Sequence, residues 1–146
     1  MVYEQLKLEN QLCFRLYTVA RLMTQAYQPW FSQLGITYTQ YIVLMVLWEQ
    51  DHQPVNDIAK RLYLETNTVT PLIKRMETLK IVTRRKDKED ARRTIVSLTD
   101  RGKAMEQEAA KIPACLTGIL CEKGLNVEDF VQMIPSLDRM IEQMAK

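Results

Sequence analysis

Glycine and proline are scarce, 4 and 5 residues in 146, which excludes collagen-like and low-complexity chains. Cysteine is scarcer. Cys13, Cys115 and Cys121 are too few and too far apart for a secreted disulfide framework, so they read as reduced thiols of a cytoplasmic protein. At most one pair can bridge within a chain. The longest apolar run, residues 41–48, falls far short of the roughly 20 residues a membrane helix needs. Residues 1–9 are polar and of mixed charge, unlike a targeting segment. Net charge is only +2, so any case for nucleic acid has to be local. His52, the single histidine, stands in a polar turn where a solvated side chain is expected. There is no glycine-rich phosphate loop, and no His, Cys or carboxylate group has metal-ligand spacing. Neither a metal, a cofactor nor an enzyme activity is expected.

The chain that remains has 47% apolar and 26% charged residues and is the size of one domain. Leu12, Leu16, Val19 and Met23 recur at steps of four, three and four, predicting a long amphipathic first helix that ends near Pro29, before a turn at Gly35. Thr37 and Gln40 form a capping-box pair ahead of a helix apolar on nearly every face. Val55, Ile58, Ala59 and Leu62 then mark a short amphipathic helix. After a turn at residues 63–65, Thr66 can cap another, with Val69, Leu72, Ile73, Met76 and Leu79 on its apolar face. Pro71 sits about a turn inside it and predicts a local distortion near Asn67. Residues 81–85 and 94–98 are rich in β-branched side chains and flank a charged connection, which reads as a hairpin. Thr99 starts a helix, Pro113, Gly118 and Gly124 interrupt the stretch after it, and Asn126 can cap a last helix kinked at Pro135. Two short helices joined by a tight turn and followed by a charged hairpin make a winged helix-turn-helix, mainly α with a small β wing.

The second helix of that pair offers Thr66, Asn67, Thr68, Thr70 and Lys74 at and after its N-terminus. These side chains suit base edges and phosphates, although Thr and Asn there also serve as plain helix caps. Residues 84–93 carry six basic side chains, Arg84, Arg85, Lys86, Lys88, Arg92 and Arg93, against three acidic ones including Asp90. Such a run is often a mere solvated loop, but beside a reading helix it suits phosphate and minor-groove contact. Cys13 has Tyr17 at i+4, one turn along the same face. A lone cysteine on an amphipathic helix otherwise reads as buried and inert.

The sequence resembles the MarR family of winged-helix transcription factors, and within it the OhrR branch, which senses organic hydroperoxides. Carrying the resemblance are residues 12–17 (LCFRLY), 34–41 (LGITYTQY), 68–77 (TVTPLIKRME), and 90–92 with 98–102 (DAR and LTDRG). The resemblance implies that Cys13 is the peroxide-reactive thiol, held by the hydroxyls of Tyr17, Tyr27 and Tyr38, some supplied across an obligate dimer. It also implies a resolving thiol at Cys115 or Cys121, or a small thiol in its place, for disulfide formation with the sulfenic acid. The expected protein is a cytoplasmic homodimer that represses from a pseudo-palindromic operator, with residues 36–99 as DNA-binding core and 1–35 and 100–146 as dimerisation helices. Arg92, oriented by Asp90, is expected in the minor groove. The alternatives are a MarR-type repressor relieved by a phenolic or drug-like ligand, with Cys13 structural, and, more distantly, a thiol peroxidase.

Overall fold

The computed structural model describes residues 3–146. Two 3-10 turns, Glu4–Leu6 and Leu8–Asn10, lead into α1, Leu12–Ala26, and α2, Gln28–Leu34. α1 thus ends close to Pro29, where the sequence indicates, and α2 is an additional helix before the Gly35 turn. Pro29 lies in the first turn of α2, where its missing N–H costs nothing, so it starts a helix rather than ending one. Gly35 closes α2 at φ +71°, and both it and Ile36 donate to the Phe31 carbonyl. The capping box then opens α3, Tyr38–Glu49: the Gln40 N–H donates to Thr37 Oγ1 at 3.3 Å and the Thr37 N–H to Gln40 Oε1 at 3.0 Å. That pairing satisfies Gln40, which is buried. Val43, Leu44 and Leu47 are fully enclosed, so α3 is the central post of the core.

β1, Gln53–Pro54, leads into α4, Val55–Arg61, and then α5, Thr66–Thr78. Glu65, not Thr66, is the N-cap of α5, and it caps with no side-chain bond. α5 also runs unbroken through Pro71. The carbonyl that Pro71 leaves without an N–H belongs to exposed Asn67, where water can take its place. Val69, Leu72, Ile73 and Met76 seat α5 on α3 and α4.

The wing strands are β2, Val82–Lys86, and β3, Thr94–Leu98, antiparallel with Arg84 opposite Val96. β1, which the sequence pattern did not reveal, adds a third strand beside β3, giving the order β1-β3-β2. Asp51 fastens this edge, one carboxylate oxygen accepting from the Leu98 and His52 N–H groups at 2.8 Å each. His52 is therefore more than a solvated turn residue: its Nδ1 is hydrogen-bonded to the buried Ser97 hydroxyl at 2.7 Å.

α6, Asp100–Ala109, starts at a Thr99 cap. α7, Ile112–Glu122, passes through Gly118, and α8, Val127–Met144, starts at an Asn126 cap and continues through Pro135. Gly118 was expected to interrupt the chain and does not, since one glycine in a helix costs only about 1 kcal/mol. Trp48 Nε1 donates to the Gly102 carbonyl at 3.0 Å, tying α3 to α6. No described helix is long and apolar enough to cross a membrane.

Candidate nucleic-acid interface and thiol region

One face of α5 is buried against the core, so the opposite face has to point to solvent. It presents Thr66, Asn67, Thr68 and Lys74 fully, and Thr70 in part. Two of these hydroxyls are already engaged. Thr66 Oγ1 donates to Asn56 Oδ1 on α4 at 3.0 Å, and Thr70 Oγ1 donates to the Thr66 carbonyl at 2.9 Å.

The six wing cations divide into two groups. On β2 the side chains alternate, which puts Arg84 on the same face as buried Val82 and turns it toward α5. There its Nε and Nη2 donate to Glu77 Oε1 at 3.3 Å, and its backbone N–H donates to Glu77 Oε2 at 3.1 Å. Glu77, a residue the sequence pattern did not single out, thus clamps the wing to the reading helix. The signal for it was available in the parity of β2. Near the wing tip, Arg92 donates to Asp90 through its backbone N–H at 3.0 Å, Nε at 3.2 Å and Nη2 at 3.4 Å. The Arg92 side-chain and backbone bonds, aided by the Arg93 charge, hold the Asp90 carboxyl below the usual aspartate range. Arg92 nonetheless stays 91% exposed, so its orientation is set while its outer edge faces solvent. Arg93 approaches Asp87 at 3.7 Å. Arg85, Lys86 and Lys88 are exposed, with no acidic partner within ion-pair distance among the described residues.

The thiol region is built from helices that flank the winged core in sequence. Cys13 is the second residue of α1 and is exposed, as are Cys115 and Cys121 on α7. Tyr17, 69% exposed, shares the helix with Cys13. Tyr27 and Tyr38 come together instead in an aromatic cluster. Tyr27 stacks on Phe31 with centroids 5.2 Å apart, and lies 5.6 Å from Tyr38 and 5.9 Å from Tyr41. Burial, reinforced by Tyr38 and Tyr41, pushes the Tyr27 phenol above its usual value, so it keeps its proton at neutral pH and remains a donor. Cys115 borders a groove with Trp30, Leu34 and Lys111.

α1 and α8 bury none of their residues. Leu12, Phe14, Leu22, Val131, Ile134 and Ile141 are each more than 40% exposed on them. This many exposed apolar side chains on two helices mark an interaction face rather than a solvent face.

A reading helix braced against a charged two-stranded wing defines a winged helix-turn-helix, a DNA-binding architecture. The family model for the transcriptional regulator SarA/Rot matches residues 25–109. The organic hydroperoxide resistance transcriptional regulator of Bacillus subtilis is 39% identical over 142 residues, 97% of this chain and 95% of that protein. The reduced form of AbfR bound to DNA superposes with a TM-score of 0.79 at 35% identity, covering 98% of both chains; AbfR comes from Staphylococcus epidermidis. Overoxidised AbfR, also bound to DNA, gives 0.71 at 40% identity, covering 90% and 99%. Disulfide-formed AbfR gives 0.67 at 37%, covering 95% of each chain. The chain belongs to the MarR family of winged-helix transcriptional regulators, in the branch of the organic hydroperoxide regulators. It is a DNA-binding transcriptional regulator, not an enzyme.

Proposed function

We propose that the protein is a cytoplasmic homodimeric repressor that leaves its operator when an organic hydroperoxide oxidises Cys13 and a second thiol converts the product to a disulfide. The observation that carries this reading is the position of Cys13, exposed at the start of a helix none of whose residues is buried by the described part of its own chain. A second copy packed on α1 and α8 covers their exposed apolar side chains and brings both thiols to the interface. Two reading helices then enter successive major grooves about one helical turn apart. Thr66, Asn67, Thr68, Thr70 and Lys74 face bases and phosphates, Arg85, Lys86, Lys88 and Arg93 the backbone, and Arg92 the minor groove. Arg84 braces the wing.

The chemistry balances in two steps. The Cys13 thiolate attacks the hydroperoxide, the O–O bond breaks, and, with uptake of one proton from solvent to replace the one the thiol gave up, sulfenic acid and an alcohol form. A second thiol then displaces water from the sulfenic acid to give the disulfide. Tyr27 retains its proton and, with Tyr17 and Tyr38, is the donor set assigned to the thiolate. Cys115 is favoured over Cys121 as the resolving thiol, because it follows Pro113 at the start of α7, where the helix can be repositioned. The DNA-bound overoxidised AbfR supports placing release at the disulfide and not at oxidation itself. Moving occupancy from nearly all bound to nearly all free needs on the order of 5 kcal/mol of bias between the two states. A covalent cross-link through the interface is a device of that size.

The test is a DNA-binding titration with and without stoichiometric organic hydroperoxide, followed by intact mass under denaturing, non-reducing conditions. Release with a doubled mass is expected, and Cys13→Ser should bind DNA and ignore peroxide. Release of Cys13→Ser by peroxide would place sensing elsewhere. A second reading has one observation in its favour: a 430 Å³ cavity lined by Val19, Leu22, Met23, Leu120 and Leu125 suits an apolar ligand. In that case a non-oxidising ligand releases DNA and the thiol state is irrelevant.

A further inference from the structure

Asn56 lies on α4, outside the reading helix and outside the wing, yet it faces both. With Thr66, Thr70, Arg84, Arg92 and Arg93 it lines a polar cavity of about 190 Å³ where α4, α5 and the wing converge. Its Oδ1 accepts the Thr66 hydroxyl proton at 3.0 Å. A threonine hydroxyl has one proton to give and two lone pairs to offer. With the proton directed to Asn56, Thr66 turns lone pairs outward. The Thr70 proton is engaged in the same way, on the Thr66 carbonyl at 2.9 Å. The Asn56 amide, its oxygen engaged, has its two N–H groups available to an anion in the cavity mouth.

We propose that Asn56 is a specificity-determining residue of the DNA interface. By holding the Thr66 proton it makes Thr66 a hydrogen-bond acceptor, so the reading helix selects an exocyclic amino group on the major-groove edge, adenine N6 or cytosine N4. The major-groove edges of guanine and thymine offer acceptors at the corresponding places, and there lone pair would face lone pair. The Asn56 amide N–H groups bind the neighbouring backbone phosphate. This inference rests on the DNA-binding reading and deepens it: it states which hydrogen-bond polarity the first side chain of α5 reads, and which residue fixes it.

The experiment uses the full-length protein and the tightest-binding duplex selected from a random pool. Each adenine in that duplex is replaced in turn by 2-aminopurine, which pairs with thymine but has no amino group in the major groove. Each cytosine is replaced by N4-methylcytosine, which puts a methyl group in place of the groove-facing N–H. One base pair in each half-site is expected to lose about tenfold in affinity for the wild-type protein on this replacement, the size of one hydrogen bond to a buried group. Thr66→Val should bind more weakly and lose no more on the replacement. Asn56→Leu should keep the wild-type contact but also accept at the same position a base pair that presents an acceptor there, guanine O6 or thymine O4, which the wild type rejects, because the freed Thr66 hydroxyl can donate as well as accept. Asn56→Asp keeps the acceptor, so it should keep the sensitivity while binding all duplexes more weakly, its charge now facing phosphate. Thermal melts of the three variants confirm folding.

An Asn56→Leu variant that rejects the acceptor-presenting base pair as strongly as the wild type does, or sensitivity that is lost in Asn56→Asp, overturns the proposal while leaving the DNA-binding reading intact. A wild-type protein that selects no duplex overturns both.

Discussion

Replacing Arg85, Lys86 and Lys88 together by glutamine tests whether the wing's positive charge acts as a bulk property or through its unpaired members. Each cation that neutralises a DNA phosphate contributes about −0.9 to the slope of log affinity against log salt. Three unpaired cations per subunit, two subunits and full phosphate contact give a wing contribution of about −5. Between 50 and 200 mM salt that contribution corresponds to roughly a thousandfold loss of affinity. The triple variant should lack most of it, binding weakly at low salt and responding shallowly as salt rises. Arg84→Gln makes the contrast. Its guanidinium is turned to the Glu77 carboxylate and its side chain is 27% exposed, so removing it should change the slope by well under one unit per subunit. Fluorescence anisotropy on one labelled duplex at five or six salt concentrations measures both. An Arg84→Gln slope change equal to that of Arg85→Gln would show that the Glu77 clamp opens on DNA and that the division of the wing cations into two groups is wrong.

The same geometry leads to three more expected outcomes. Arg92→Ala should weaken DNA binding and reduce the salt slope by about one unit per subunit if Arg92 meets a phosphate, and by less if it reads minor-groove shape; unchanged affinity would remove Arg92 from the interface. Asp90 should titrate below the ordinary aspartate value of 3.8 in a carboxyl NMR experiment. Because its folded value is depressed, its contribution to wing order is complete above the unfolded value and fades as pH falls through the folded one, so Asp90 should produce no change in DNA binding between pH 6 and 8. Gly102→Ala should lower stability in a denaturant titration by about 1–3 kcal/mol, since a Cβ there overlaps the Ile81 carbonyl oxygen and crowds Leu98. A melt matching wild type would show that α6 shifts freely against the wing base.

The helical periodicity of Val55, Ile58 and Ala59, and of Val69, Leu72, Ile73 and Met76, was legible because each helix lays one face on the same core. The Thr37–Gln40 box, the Thr99 cap and the Asn126 cap were legible because capping is local chemistry. β1 was not, since two residues carry no period and their pairing with β3 crosses more than 40 positions. The end of α1 near Pro29 was legible, but α2 was missed because proline has opposite meanings at the first and last turns of a helix. At the candidate interface, the exposed Thr66, Asn67 and Thr68 could be read from the strip left by the buried positions. Partnership escaped. That Arg84 belongs to Glu77 and Thr66 to Asn56 depends on how strand, turn and helix meet in space.

The thiol region makes the same point from the other side. Among the described residues neither α1 nor α8 has a buried side chain, while the winged core from α3 to β3 holds nearly all of the enclosed large side chains. The stable and the incomplete halves of the molecule are therefore different halves. In the proposed mechanism the reading heads keep their internal packing in both states, and oxidation alters the angle between two rigid cores through helices whose packing depends on the partner. That arrangement suits a switch, because an interface of exposed leucine, valine and methionine side chains can repack with little loss of buried area, whereas a core residue such as Leu44 or Ile73 cannot shift without opening a cavity. A reactive cysteine placed in the winged core would have to damage the DNA-binding surface to report oxidation. Placed on α1, it can change the spacing of the two reading helices and leave each one intact.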